Sequence, residues 1–462
     1  MAALYLNRMT ARHHRRHTPK GRHGSRAPQT KRAAPVGEAD ITVTGLGGHG
    51  DGLATFQDQP VFIAQTVPGD RVRVTLYRRV GGGFDGVALE LLEASPDRQR
   101  PPCGHAGVCG GCVAQHIAGP AYIAWKQAMM VEALGKAGVT PDEIVPLVRI
   151  PPRSRRRLSL RARSVQQRGT TSVLLGFNEA RSHRVLDVAE CVIAQSPLTA
   201  LLPAVRVALL DALLPGEGAT ISITQLDDGI DLVVTADRPP GVDARMALAD
   251  WADTHDLARV SWRIAGTQAE PEPIAHRRAG VLRVGDAIVR VPPGAFLQAT
   301  VESEDALRRT VLAGLEGTVG PVADLFAGIG TFSLAIARDR PVLAVDSEEP
   351  AIAALLAGAR SAGIGERVRA ETRNLFDRPL AGRDLGGLGA VVFDPPRSGA
   401  RDQATALADA GPGKVVAVSC RPSSLARDAR ILLDGGYRLR RITPIDQFLW
   451  TAHLELVAVF ER

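Results

Sequence analysis

Residues 322–346 read VADLFAGIGTFSLAIARDRPVLAVD. An apolar run ends at Asp324, Leu325 and Phe326. Ala327, Gly328, Ile329 and Gly330 follow, then a helical pattern over 331–337, then a second apolar run over 342–345 closed by Asp346. That order predicts strand, glycine turn, helix, strand, acid. Gly328 and Gly330 let the backbone turn sharply and approach a ligand. Asp346 then stands at the tip of the second strand, where a carboxylate can accept both hydroxyls of a ribose. No Gly-Lys-Ser/Thr is present, which excludes a phosphate-cradling P-loop. Asp324 would repel a pyrophosphate but suits a cationic ligand with an adenosine tail. S-adenosylmethionine is such a ligand.

Downstream, a helix is expected over 351–362. A strand over 368–371 delivers Asn374, whose amide is placed to read an adenine edge. A buried strand over 390–393 ends in Asp394-Pro395-Pro396-Arg397, and another over 415–419 ends in Cys420. Upstream, PPGAFLQAT at 292–300 carries Gln298 ahead of a helix over 302–315. Strands alternating with helices predict a doubly wound α/β sheet, whose ligands sit at the carboxyl ends of its strands. Asp324, Asp346, Asp394 and Cys420 all fall at such ends. A thiolate beside a methyl donor suits carbon-5 methylation of a pyrimidine, because addition at C6 turns C5 into an enolate carbon. A base must then remove the C5 proton. Glu455, within FLWTAHLELVAVF, is the candidate, and Leu454, Leu456 and Val457 would bury it and raise its pKa. The bland readings are a small core residue for Cys420 and an edge-strand surface acid for Glu455.

The 462 residues exceed one ordinary domain. Hydrophobic content of 45% gives apolar mass for several cores, and no run approaches the roughly 20 apolar residues of a membrane span. The net charge of +7 is concentrated: residues 1–37 hold nine Lys/Arg and no acid, leaving 47 basic against 49 acidic residues in the rest. The tail reads as a disordered, sequence-blind RNA contact or a merely solvating arm. Over 39–96, short strand-like runs separated by glycines predict a small β-barrel. The phrase GLGGHGDGLATFQDQPVFIAQTVPGDRVRV resembles the TRAM domain, an RNA-binding barrel. Cys103, Cys109 and Cys112 then follow as C-x5-C-x2-C, with Cys191 as a candidate fourth ligand. Four such thiolates suit zinc or an iron–sulfur cluster, and the three-plus-one layout leans toward [4Fe–4S]. Five cysteines with so tight a cluster point to a reducing compartment. Between 153 and 163, Arg153, Arg155, Arg156, Arg157, Arg161 and Arg163 load a strand with guanidinium groups suited to phosphates.

The set DLFAGIGTF, FDPPRSGA, VSCRPSSLARD and TAHLELV, in that order, resembles the RNA 5-methyluridine methyltransferases. The cysteine arrangement and TRAM-like front match the iron–sulfur subgroup acting on 23S ribosomal RNA. The resemblance covers about residues 38–462. It implies a C-terminal class I, Rossmann-like sheet over 292–462, a central α+β iron–sulfur and RNA-binding domain over 97–291, a TRAM/OB-like barrel over 38–96 and the tail over 1–37. A helix over 121–138 is expected to pack on the catalytic domain. Carried over residue by residue, Cys420 is the nucleophile and Glu455 the base. Gln298, Phe326, Thr331, Asp346, Asn374 and Asp394 match S-adenosylmethionine-binding positions, beside Gly328 and Gly330, and Asp394 also faces the uracil. The chain departs at Thr331, where asparagine is common, at Asp346, where glutamate is usual, and at Arg421, where asparagine follows the cysteine. The charge of Arg421 would lower the thiol pKa or signal a different target nucleotide. The expected partner is structured, ribosomal RNA, met by a cytoplasmic monomer with no membrane. Alternatives are a transfer-RNA uracil-C5 enzyme, an amino-methyltransferase using the DPPR segment, and an RNA-binding iron–sulfur protein with another methylation target.

Overall fold

The computed structural model describes residues 34–462 except 168 and 268, so most of the expected basic tail lies outside the described residues. The described chain forms two compact units, one running up to Lys126 and including 450–452, the other residues 127–449 with 453–462. Helix Gly119–Lys136 carries the chain from the first to the second.

The first unit opens with six strands: β1 (Pro35–Thr42), β2 (Gly45–Leu46), β3 (Gly52–Phe56), β4 (Gln59–Ile63), β5 (Arg71–Arg78) and β6 (Phe84–Glu93). Their order is β1-β5-β6-β4-β3-β2. Only Val43 and Thr44 separate β1 from β2, so the two ends of that order belong to one continuous stretch and the sheet closes on itself. Val43 and Thr44 complete the closure, Val43 donating to the Asp70 carbonyl and Thr44 to that of Leu53 (both 2.8 Å). Alternation does the rest: Val72, Val74 and Leu76 point inward to pack with Val61, Ile63 and Phe84. A barrel so small fills with side chains. At Gly52 a Cβ would lie 2.0 Å from the Thr66 hydroxyl, so the expected glycine-rich segment is a packing requirement.

The second unit holds two large sheets. After the short strands β7 (Glu143–Ile144) and β8 (Val148–Arg149) come β9 (Arg157–Gln167), β10 (Thr170–Asn178), β11 (Val185–Asp187), β12 (Gly218–Leu226), β13 (Gly229–Ala236), β14 (Arg259–Ile264) and β15 (Glu272–His276). They form a seven-stranded sheet, β11-β10-β9-β12-β13-β14-β15. Leu158, Leu160 and Ala162 on β9 face a core shared with Leu202, Val205 and Leu248 from the helices, while Ser159, Arg161 and Arg163 face out. The arginine strand therefore has the predicted period of two.

Hairpin β16 (Val281–Val284) and β17 (Ala287–Arg290) follows. The sequence reading assigns it to the central domain, but Leu282, Val284, Ala287 and Val289 pack in the same core as Leu355 and Ala359 of helix Glu349–Ser361. The catalytic sheet is built from β18 (Val322–Leu325), β19 (Val342–Asp346), β20 (Val368–Thr372), β21 (Ala390–Phe393), β22 (Lys414–Ser419), β23 (Arg438–Asp446) and β24 (Glu455–Glu461). Its order is β20-β19-β18-β21-β22-β24-β23-β7, with β8 also on β23. The first five strands are parallel, and β24 runs antiparallel to β22 and β23. Because β18 lies between β19 and β21, the winding reverses there and opens a crevice beyond the strand ends. Met130 and Leu134 of helix Gly119–Lys136 join the core under this sheet, alongside Ala429 and Leu432.

Candidate active site

A cavity of about 1370 Å³ opens over the carboxyl ends of β18, β19, β21 and β22. Gln298, Phe326, Gly328, Thr331, Asp346, Asn374, Asp394, Cys420 and Glu455 all line it. Gly330 lies beneath. A Cβ there would come within 2.8 Å of Leu355 and 3.0 Å of Leu334, so this glycine lets the turn pack on its helices. Gly328 does the other job: its φ is +54° and a Cβ would meet nothing within 4 Å, so it leaves the backbone open to the cavity. Phe326 also adopts a positive φ of 62°, which is costly for an aromatic residue and is held by the turn. Its ring lies 5.5 Å from that of Phe376, making an aromatic wall suited to a purine.

Asp346 accepts the Gly328 N–H (2.8 Å) through Oδ2 and the Glu348 N–H (2.9 Å) through Oδ1, which fixes the carboxylate at the strand tip. Asp324 departs from its expected place. It is fully buried, takes the Ser333 hydroxyl and does not line the cavity. Burial pushes its carboxyl up to about 7. It braces the glycine turn from below and does not meet a cationic ligand. Asn374 lines the cavity, but its amide donates to Asp377 (2.6 Å) and accepts the Phe376 N–H (3.1 Å). That turn presents Phe376, a residue the motif reading passed over.

The pairing of β22 with β24 decides the chemistry. Ser419 stands opposite Leu456, so the next residues along the ladder, Cys420 and Glu455, fall side by side. Glu455 is buried between two strands, which corrects the edge-acid reading. Burial, and then the nearby Asp394, holds its carboxyl well above the usual range. Asp394 is pushed up to about 7, again chiefly by burial. Cys420 is pushed up to about 11 by burial and by the charges of Glu455 and Asp394, with Arg397 pulling it down. The sequence alone offers Arg421 for that last role. Arg421 is an exposed helix N-cap, and the Asp-Pro-Pro-Arg turn supplies the acting guanidinium instead.

Two further residues escaped the sequence reading. Gln447 donates to Glu455 and to Gln298 Oε1 (3.1 Å), while Gln298 donates to Asp394 (3.0 Å). Arg156, expected on the RNA face, is buried against Glu304 and donates to the Gln298 carbonyl (3.1 Å). A buried arginine needs such a partner. It shapes the pocket from behind and offers nothing to phosphates. Arg157 is half-buried at the cavity, lying 5.1 Å over the Phe296 ring and donating to the Leu297 carbonyl (2.9 Å).

A family model described as tRNA (uracil-5-)-methyltransferase matches residues 281–462. Its first residue is the start of hairpin β16–β17. A 23S rRNA (uracil(1939)-C(5))-methyltransferase, RlmD of Aromatoleum aromaticum, is 33% identical over 437 residues, covering 91% of this chain and 99% of that protein. The chain belongs to the RNA uracil-C5 methyltransferases. An RNA methyltransferase of Brucella melitensis is 41% identical over 424 residues, 91% of this chain and 97% of its own. The crystal structure of the Pyrococcus abyssi tRNA (uracil-54, C5)-methyltransferase with S-adenosyl-L-homocysteine superposes with a TM-score of 0.69 at 22% identity, covering 91% of this chain and 99% of that one. The fold is accordingly that of an α/β class I methyltransferase behind a β-rich N-terminal region. The enzyme methylates RNA using S-adenosylmethionine. The open backbone at Gly328, the fixed Asp346 and the Phe326–Phe376 wall fit the adenosine end of that molecule.

Among the described residues, no group of three or more His, Cys, Asp or Glu is gathered closely enough to hold a metal ion. Cys103, Cys109 and Cys112 belong to the first unit and Cys191 to the second. No helix among the described residues is long and apolar enough to cross a membrane.

Proposed function

We propose that the enzyme methylates a uracil in 23S ribosomal RNA through a covalent adduct on Cys420, with Glu455 as the base. The Cys420 thiolate adds to C6, so an S–C6 bond forms and the C5=C6 electron pair moves toward C5. S-adenosylmethionine supplies an electrophilic methyl group on sulfur, which C5 takes as the methyl–sulfur bond breaks. Glu455 then accepts the C5 proton, the C5=C6 bond re-forms and the thiolate leaves. A carboxylate whose pKa burial holds well above the usual range suits that last step. The observation that carries the reading is the β22–β24 register, which sets thiol and carboxylate side by side over the glycine turn.

The ribosomal choice rests on the RlmD relative, similar over nearly the whole of both chains. Digestion and mass analysis of RNA from cells lacking this protein tests it. The expected result is 5-methyluridine missing from 23S RNA with transfer RNA unchanged. Loss from transfer RNA alone would overturn the choice.

The reading extends to the first unit. The barrel serves as a TRAM-type RNA contact, and the C-x5-C-x2-C run of Cys103, Cys109 and Cys112 supplies thiolates to a [4Fe–4S] cluster, a reading carried by the sequence spacing, since the described residues hold no gathered ligand group. Backbone N–H groups of His105 and Gly111 point at the Cys103 and Cys109 sulfurs (both 3.4 Å), an arrangement that favours thiolate ligands. Methylation needs no electron, so no catalytic step runs through the cluster. Anaerobic purification followed by iron and sulfide analysis checks this: about four of each per chain is expected, and zinc alone would contradict it.

A further inference from the structure

The buried polar groups behind the cavity form one directed chain. Gln447 Oε1 accepts the Ala299 N–H (3.2 Å) and the Ser303 hydroxyl (3.0 Å). A backbone N–H can only donate, so this contact settles which end of the Gln447 amide is oxygen. Its Nε2 must then face the other way, and it reaches both Glu455 Oε2 and Gln298 Oε1. Because Gln298 presents oxygen to Gln447, it presents its own NH2 to Asp394 Oδ2. Two amides thus divide the two carboxylates between them, each carboxylate receiving one N–H. Glu455 Oε1 is left buried with no hydrogen-bond partner.

We propose that Gln447 is a positioning residue for the last step of methylation: it pins Glu455 Oε2 and thereby holds Oε1 as the one oxygen able to take the C5 proton. This rests on the reading of Glu455 as the base. Its hydrogen bonds run to Glu455, Gln298, Ala299 and Ser303 and not to the Cys420 thiol, so its loss should spare addition and fall chiefly on proton removal. With the proton still on C5, the thiolate cannot leave, and the methylated adduct should accumulate.

The test uses the full-length protein with Gln447→Met, which keeps length and removes both polar atoms. The RNA carries an ordinary uracil, and the methyl group of the donor is tritiated. The expected result is a kcat lower by about 10- to 100-fold with no rise in KM for RNA. A denaturation-resistant protein–RNA complex bearing tritium should appear with the variant and remain scarce with the parent. A merely structural defect would lower both steps and trap nothing. Turnover at the parent rate, or slow turnover without trapped RNA, would overturn the proposal. RNA containing 5-fluorouridine separates this outcome from failure of the underlying mechanism, because fluorine cannot leave as a proton does. If the parent forms no complex with that RNA, the Cys420 mechanism itself fails. If the parent forms it and the variant does not, Gln447 acts earlier and the proposal is wrong. Should Gln447→Met fail to fold, Ser303→Ala, which loosens the amide's anchor, should show the same trapping to a smaller extent. Its absence there would count equally against the proposal.

Discussion

The Cys420 thiol, pushed up to about 11, is mostly protonated at neutral pH, whereas the proposed addition to C6 needs the thiolate. Burial and two neighbouring acids hold the thiol protonated in the ligand-free protein. Alkylation of Cys420 in the ligand-free protein should therefore accelerate about tenfold per pH unit between pH 7 and 10. A flat rate over that range, followed by mass analysis of the labelled peptide, would contradict this. Asp324 gives a stability prediction with a definite sign. Its folded pKa of about 7 lies above its ordinary 3.8, so the folded state binds the proton more tightly. Stability from this group is complete below pH 3.8 and declines as pH rises to about 7. At higher pH the buried charge costs about 4 kcal/mol. Asp324→Asn should raise the unfolding temperature at pH 8, less at pH 5 and hardly at all near pH 4. An equal gain at every pH would refute the assignment.

Strand direction places the chemistry at the level of elements. Had β24 run parallel to β22, Glu455 would sit at the far edge of the sheet from Cys420. Its reversal brings the start of one strand to the end of the other. This was only half legible in the sequence. Local signals, such as the glycine turn and the acid closing each apolar run, identify strand tips because they act within a few residues. Gln447 and Arg156 carry no local signature. Their roles come from partners 149 and 148 residues away, which only the fold brings near. The same limit explains Asp324 and Arg421, whose neighbours in sequence say nothing of whether each side chain is buried or exposed. The buried Arg156–Glu304 pair joins the start of β9 to helix Val301–Gly314. Arg156→Met should destabilise the protein by about 3–5 kcal/mol, because Glu304 is left as an uncompensated buried charge. Chemical denaturation checks this, and a loss below about 1 kcal/mol would mean the pair is relieved by water. Gly330→Ala should also destabilise, by about 1–3 kcal/mol, since the added methyl must displace Leu355 and Leu334 at a positive φ of 96°. Gly328→Ala faces open space. It should lose donor affinity more than stability, as titration calorimetry would show.

On the scale of the whole molecule, the second unit combines a deep cavity with an arginine-bearing sheet face. Arg161 and Arg163 are exposed on β9, whereas Arg157 is half-buried at the cavity and Arg156 is taken up in packing. Fewer of these guanidinium groups are thus exposed than the sequence alone predicts. Replacing Arg161 and Arg163 by Ser should weaken RNA binding most at low salt and lower the slope of log K against log salt by about 0.7 per lost contact. An unchanged slope would place the RNA elsewhere. The account as a whole depends on one bond, that between the Cys420 sulfur and C6 of uracil. Full-length protein incubated with 5-fluorouridine RNA and S-adenosylmethionine, then digested and weighed by mass spectrometry, tests it directly. The peptide containing Cys420 should carry a methylated fluoropyrimidine nucleotide. A complex mapped to another residue, or none formed by protein that is active on ordinary RNA, would contradict the account.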